Sequence, residues 1–157
     1  MSTRIAITGR DRLPLRRRLM PLLAVGAARV LAHSPPRRIR AMLGFLRIGA
    51  TPATYDQAKG ARDAVLAVSV LCAGENCLQR SLATVLLCRI RGVWPTWCSG
   101  IRTGPFCAHA WVEAHGQPVG EGYPAGYFRP IISVPPRTDE APFRTDTEEK
   151  EARGEGK

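Results

Sequence analysis

Apolar side chains in the first third of the chain recur with the period of an α-helix. Between Pro14 and Leu31, leucines and valines are interspersed with arginines, and apolar residues again fall at helical spacing between Arg37 and Ile48. The segment 34–36 separates the two stretches, because consecutive prolines interrupt a helix. The pattern therefore predicts two basic helices after a loose leader over residues 1–12.

Two further helices are predicted before the period of the apolar pattern changes. Thr54 and Gln57 have the spacing of a capping box, which predicts a helix from there to about Leu71. After an interruption the helical pattern resumes at Cys77, and apolar residues occupy so much of its circumference that this helix is predicted to be largely buried. Gly92 is its natural end, because glycine readily adopts the left-handed conformation that terminates helices.

The period then changes from about 3.6 to 2, which is typical of strands. Strands are predicted over 97–101, 106–114 and 117–121, with a fourth near Ile131. Helices followed by strands indicate an α+β domain, here N-terminal helices followed by a small antiparallel sheet. We predict a basic helical extension over 1–52 that packs on the core, a core over 53–134, and a disordered polar tail over 135–157.

Positive charge is concentrated at the N-terminus of this 157-residue chain, whose formal net charge is +10. Residues 1–62 carry 13 basic and 2 acidic side chains. Such a field attracts anionic partners, among them acidic peptides, nucleic acids and membrane surfaces. Aromatic residues are sparse in this segment, so no nucleic-acid partner is expected. The basic helices could instead make peripheral contact with an anionic membrane.

The composition also bears on the compartment. The apolar stretch Leu19–Ala32 follows three arginines, as in a signal peptide, but it contains Arg29 and lacks a clean cleavage pattern, which favours a cytoplasmic helix. The chain has five cysteines, and this odd number favours free thiols in a reducing compartment. Since no Cys-x-x-Cys pair or similar spacing is present, we expect neither a metal nor a cofactor.

Three residues could form a reaction centre. Cys77 opens a helix, where unpaired N–H groups and the helix dipole favour a thiolate, although a buried structural cysteine is the alternative. His109 lies in the second strand, and a three-residue hairpin loop over 114–116 would place Glu121 directly opposite it. A two-residue loop would instead put Glu121 on the other face of the sheet. Nucleophile, base and orienting acid would then be Cys77, His109 and Glu121, with the Cys77 N–H as one oxyanion donor and the second donor unidentified.

The motif Cys-Leu-Gln-Arg-Ser over 77–81, followed by Ala-His-Ala-Trp-Val-Glu over 108–113, closely resembles the lasso-peptide leader peptidases. These are transglutaminase-like, microcin-processing cysteine proteases, and the resemblance covers about residues 53–134. It implies a papain-like, transglutaminase-like core with a Cys-His-Asp triad. The nucleophile then falls on Cys77, the base on His109 and the acid on Glu121, where the family commonly has Asp.

The resemblance also implies a substrate and partners. The substrate is a ribosomally synthesised precursor peptide, cleaved between leader and core by thioester formation and hydrolysis. The core then passes to a macrolactam-forming cyclase. A small leader-binding protein is fused or separate in this family, and residues 1–52 lack the strands of such a module, so a separate partner is expected.

Three more residues are candidates for substrate binding. Arg80 is read first as structural, with Glu113 as its expected partner, and a direct contact with precursor peptide is the second interpretation. Trp111 shares the face of His109 and could wall the cleft, and Trp97 could line a peptide groove. Core packing is the alternative for both tryptophans.

Two other functions remain open from the residues alone. A transglutaminase-like acyltransferase or amidase would use the same three residues and differ only in whether water or an amine resolves the thioester. A non-catalytic basic adaptor would use only the charged N-terminal helices.

Overall fold

The computed structural model describes residues 15–73 and 76–137, without the side chains of residues 15–17, 71 and 73. The predicted leader over 1–12 and the predicted tail from residue 138 onward lie outside the described residues.

The chain forms helices first and most of its strands afterwards, so the predicted α+β organisation is confirmed. The helices are α1 (Leu15–Ala32), α2 (Pro36–Leu46), α3 (Tyr55–Val68), α4 (Val70–Ala73) and α5 (Cys77–Ile90). The strands are β1 (Thr51–Pro52), β2 (Val93–Trp94), β3 (Thr96–Thr103), β4 (Phe106–Ala114), β5 (Gln117–Pro118) and β6 (Arg129–Val134).

Helix α3 begins with the predicted capping box. The Gln57 N–H donates to Thr54 Oγ1 at 3.3 Å, and the Thr54 N–H donates to Gln57 Oε1 at 2.9 Å. The helix ends at Val68 rather than near Leu71, because Ser69 is extended (φ −134°). Ser69 Oγ then accepts a hydrogen bond from the Cys72 N–H at 3.2 Å within the short helix α4.

Four strands form an antiparallel sheet in the order β5-β4-β3-β6. The pair β1–β2 is separate and parallel, and it joins Thr51 to Val93 and Pro52 to Trp94. The sequence pattern does not reveal this pair, since two residues are too few to show a period of 2.

The turn between β4 and β5 has the shorter of the two lengths that the sequence allows. Ala114 pairs with Gln117 and Glu113 pairs with Pro118, so the loop contains only His115 and Gly116. Both have positive φ, 51° and 75°, as a type I′ hairpin turn requires. Of the two loop lengths that the sequence left open, the structure has the two-residue loop, not the three-residue loop that would pair Glu121 with His109. Strand β5 is also shorter than the predicted 117–121, and a last hydrogen bond runs from the Val119 N–H to the Val112 carbonyl at 2.9 Å.

Helix α5 is the central element of the core and contacts α1, α3 and β4. Half of its fourteen residues are buried and only Ile90 is exposed, as the apolar circumference predicts. Trp97 on β3 donates from Nε1 to Ser81 Oγ at 3.1 Å, which ties the first turns of α5 to the sheet. The sheet and the start of α5 are therefore held in a fixed relation close to Cys77.

Candidate active site

Cys77 is the first residue of α5, and its thiol is partly buried. A hydrogen bond with His109 lowers the pKa of this thiol, although burial opposes the shift. The backbone N–H of Ala110 donates to the same sulfur, and the positive charge of Arg80 acts in the same direction. The start of a helix adds unpaired N–H groups and the positive end of the helix dipole. The site therefore favours a thiolate.

His109 lies on β4 and links the sulfur to a carboxylate. Its Nε2 is 3.3 Å from Glu121 Oε2, so Nδ1 is the ring nitrogen left for the Cys77 sulfur. Burial alone would lower the pKa of His109, but the hydrogen bonds with Cys77 and Glu121 raise it to about 9. The His109 imidazole therefore carries a proton at neutral pH, and its charge favours the thiolate form of Cys77.

Glu121 is the point where three cationic side chains meet. Besides its contact with His109, Oε1 lies 3.7 Å from an Arg62 nitrogen and 4.0 Å from an Arg80 nitrogen. The Glu121 side chain is only 9% exposed. Burial would raise the pKa of this carboxyl, but the His109 hydrogen bond and the two arginines lower it. Glu121 therefore stays ionised and fixes the orientation of the imidazole.

Glu121 reaches His109 by a route that the sequence pattern did not predict. With a two-residue turn, an extended β5 would carry Glu121 to the opposite face of the sheet. The chain instead leaves the ladder after Val119, and Gly120 turns with a φ of +63°. The Gly120 N–H donates to Tyr55 Oη of α3 at 3.3 Å. The strands β4 and β5 pair in the register that does not place Glu121 opposite His109, yet the structure brings the two side chains together.

Arg80 has partners other than the expected Glu113. Its guanidinium donates to the Cys72 carbonyl at 3.3 Å and lies beside Glu121. Glu113 instead accepts a hydrogen bond from Trp111 Nε1 at 2.7 Å. The pairing expected with Glu113 is therefore wrong, because Arg80 lies one turn into α5 and so points to the loop that carries Glu121.

Arg62 was not among the sequence candidates. It follows the buried residue Ala61 on α3, and neither Ala58 nor Leu66, one turn away in each direction, could neutralise it. An arginine beside a buried stripe with no acid at helical spacing needs a partner from another element. That signal indicated a distant carboxylate but not which one.

Aromatic side chains enclose the imidazole of His109. Phe128 stacks on it with ring centroids 4.9 Å apart, and Tyr123 meets it edge-on at 5.4 Å. Tyr123 Oη is buried near Glu121 but outside hydrogen-bond geometry, and burial raises the pKa of this phenol. The sequence candidates omitted both rings, because they lie in a Gly- and Pro-rich loop without periodicity.

The two tryptophans that the sequence offers as substrate-binding candidates, Trp111 and Trp97, both lie inside the protein. Trp111 stacks near His109 with centroids 6.0 Å apart, on the same face of β4 as alternation predicts. Trp97 belongs to the main core on the other side of the sheet. Each is only 2% exposed. Neither ring therefore presents surface to a peptide in this structure, and the core-packing alternative describes both.

A surface cavity of about 330 Å³ lies elsewhere. Its lining includes Pro52, Trp94, Pro95 and His115, but none of Cys77, His109 and Glu121. This cavity is therefore separate from the cluster around Cys77.

The arrangement is competent for acyl transfer. A thiol at a helix start, in surroundings that favour its thiolate, is hydrogen-bonded to an imidazolium that can later protonate a leaving amine, and a carboxylate fixes the ring. This geometry allows attack on an amide carbonyl and formation of a thioester.

Comparison with known proteins agrees with this geometry. The family model described as the transglutaminase-like superfamily matches residues 21–133, which is more than half of the chain. This range begins within α1, ends in β6 and includes Cys77, His109 and Glu121. No curated protein and no solved structure gives a significant match. The superfamily includes cysteine peptidases and acyltransferases. The chain belongs to the transglutaminase-like superfamily.

Proposed function

We propose that this protein is a cysteine peptidase that removes the leader from a lasso-precursor peptide. The observation that carries the proposal is the hydrogen-bonded chain from Cys77 through His109 to Glu121 inside a transglutaminase-like domain. The motifs at 77–81 and 108–113 support the choice of substrate, because they resemble those of the leader peptidases.

The proposed reaction has two steps. The Cys77 thiolate attacks the scissile carbonyl, and His109 gives its proton to the leaving amine as the thioester forms. His109 then takes a proton from water, which attacks the thioester; the Cys77 thiolate leaves, and the new carboxylic acid loses its proton to solvent, so the starting thiolate and imidazolium are restored. Glu121 keeps the imidazole oriented in both steps. In this proposal Cys77, His109 and Glu121 are the catalytic residues.

The proposal includes two partner proteins, and it places the protein and these partners in the cytoplasm. A separate small protein would bind the leader and present the precursor, and a cyclase would receive the released core. Both rest on the resemblance of the motifs rather than on any contact surface described above.

The decisive experiment is incubation of the full chain with the precursor peptide encoded beside its gene, with and without the leader-binding partner, followed by mass spectrometry. We expect two fragments whose masses sum to the precursor plus one water. A product carrying an added amine would instead favour the acyltransferase, which the superfamily also includes.

We expect Cys77→Ala to abolish cleavage while the circular dichroism spectrum and the unfolding midpoint stay close to those of the wild type, because alanine is readily accommodated at a helix start. Cys107→Ala is the matched control, since Cys107 is another partly buried free thiol and lies outside the proposed chain of residues. Leader removal at the wild-type rate by Cys77→Ala would refute the proposal.

A further inference from the structure

Helix α1 has an apolar face that no described residue covers. Ala24, Ala28 and Leu31 on one side of the helix are buried. The large apolar residues on the other side are between 48% and 74% exposed; they are Leu19, Met20, Leu22, Leu23 and Val30. Leu19, Leu23 and Val30 fall on one face at helical spacing, so the exposed residues form a continuous stripe.

An exposed stripe of this size is unusual in a protein that acts alone. Scattered surface leucines are ordinary, but contiguous apolar patches mark interaction surfaces. A helix that is apolar around most of its circumference is normally buried on all sides. Helix α1 therefore requires something to cover its outer face.

The charges around the stripe have a single sign. Residues 12–55 contain nine arginines and no acidic residue. Arg29 flanks the stripe, and Arg37, Arg38 and Arg40 are exposed on the following helix α2. That helix also exposes Phe45, which is 74% exposed. The two helices thus combine exposed apolar side chains with uncompensated positive charge.

The positive charge around the stripe indicates which of three candidates covers it: a second copy of the chain, residues 138–157 or a lipid surface. A second copy of the chain would bring two arginine-rich faces together, which like-charge repulsion opposes. Residues 138–157 carry seven acids, but their few apolar residues are too small a set to cover the stripe. An anionic lipid surface supplies both an apolar interior and negative headgroups, and arginine side chains reach the headgroups while their stems lie along apolar surface.

We propose that α1, with α2 beside it in sequence, binds the surface of an anionic membrane, with the stripe of α1 buried at the level of the headgroups. Among the described residues, no helix is both long enough and apolar enough to cross a bilayer. The proposed membrane contact does not depend on the proposed peptidase activity.

The test is flotation of the full chain with extruded vesicles. We expect binding to vesicles of equal phosphatidylglycerol and phosphatidylcholine to be at least tenfold tighter than binding to phosphatidylcholine alone, and to weaken at 0.5 M salt. The double variant Leu23→Gln/Val30→Gln should bind at least tenfold more weakly than the wild type. Both positions are strongly exposed, so the substitutions leave the core intact.

The matched control is Val70→Gln/Ile131→Gln, which removes two equally exposed apolar side chains outside α1 and α2. It should float with the vesicles as the wild type does. Peptide cleavage in vesicle-free buffer should be the same for both double variants and the wild type, so failure of membrane binding and failure of the peptidase proposal can be told apart.

Any of the following results would overturn the membrane proposal. The wild type could ignore anionic vesicles, or Leu23→Gln/Val30→Gln could float as well as the wild type. Sedimentation velocity could show a dimer that this variant abolishes, which would make a second copy the occupant. Loss of partner-dependent cleavage in that variant, with no wild-type vesicle binding, would assign the stripe to a protein partner.

Discussion

Glu121 is the residue on which the electrostatics of the site depend. It is a buried carboxylate that contacts His109, Arg62 and Arg80, each from a different element. Two arginines and one imidazolium around one carboxylate leave a local excess of positive charge, which favours the Cys77 thiolate. One side chain therefore influences both the base and the nucleophile.

The pH dependence of cleavage follows from these shifts. Activity should rise with pH as the Cys77 thiolate forms, below the usual pKa of a thiol, and fall as His109 loses its proton near pH 9. A pH–rate profile of kcat/KM measures both limbs. An alkaline limb that stays flat beyond pH 10 would contradict the assignment of His109.

Glu121→Gln should slow cleavage by about 10²-fold and move the alkaline limb to lower pH, because the carboxylate that raises the pKa of His109 is lost. Glu121→Asp keeps the charge and should retain more activity.

The interaction of protonated His109 with Glu121 also stabilises the folded protein. This contribution is complete below the unfolded-state pKa of His109, 6.5, and is lost as pH rises through about 9. The cost of Glu121→Gln in urea unfolding should therefore be larger at pH 6 than at pH 10.

At the scale of elements, the short connection after β5 determines the position of the Glu121 carboxylate. The hairpin turn at His115 and Gly116 sets one register, and the turn at Gly120 then takes the chain out of the ladder. Tyr55 on α3 holds this second turn through the Gly120 N–H. Three local features, none of them in a long periodic segment, thus position one side chain.

Gly120→Ala should lower both stability and activity. Its φ of +63° costs an L-residue about 1–2 kcal/mol, and the new Cβ would lie 2.9 Å from an Arg62 nitrogen. Since Glu121 is the next residue, its contacts should shift, and kcat should fall.

Gly126→Ala is the control for that prediction. Gly126 also has a positive φ, +81°, but a Cβ there would meet nothing within 4 Å. It should lose comparable stability in urea unfolding and keep its kcat. Equal kcat values for the two variants would show that the Gly120 turn does not position Glu121.

On the scale of the whole molecule, α5 connects the helical half to the sheet. It contacts α1 and α3 as well as β4, and Cys77 at its start faces His109 from that strand. The hydrogen bond from Trp97 to Ser81 joins these two halves inside the core. The distance between sulfur and imidazole therefore depends on packing across the entire domain.

Ser81→Ala should reduce the free energy of unfolding by about 1–3 kcal/mol, because it leaves the buried indole N–H of Trp97 without its acceptor. Urea unfolding measures the loss. Ser133→Ala, at an exposed position, is the control and should change stability little. If Ser81→Ala were as stable as the wild type, the bond would not be what joins α5 to the sheet.

The sequence alone predicted the larger elements and named all three residues of the cluster, of which Cys77 and His109 follow from local patterns. The capping box at Thr54, the buried helix from Cys77 and the strand bearing His109 all depend on interactions between residues close in the chain. The bounds of β4 were predicted correctly, since its alternation extends over nine residues. The same local signal identified the start of α5 as a place for a reactive thiol.

Tertiary structure decided every feature that depended on the exact number of residues in a turn or on contacts between residues distant in sequence. The pattern could not choose between a two- and a three-residue turn, because that choice rests on single backbone angles at His115 and Gly116. It could not pair Arg62 and Arg80 with Glu121, since these residues come from separate elements. It also could not show that α1 buries Ala24 and Ala28 and leaves Leu19 and Leu23 exposed, because an apolar circumference does not indicate which side the core covers.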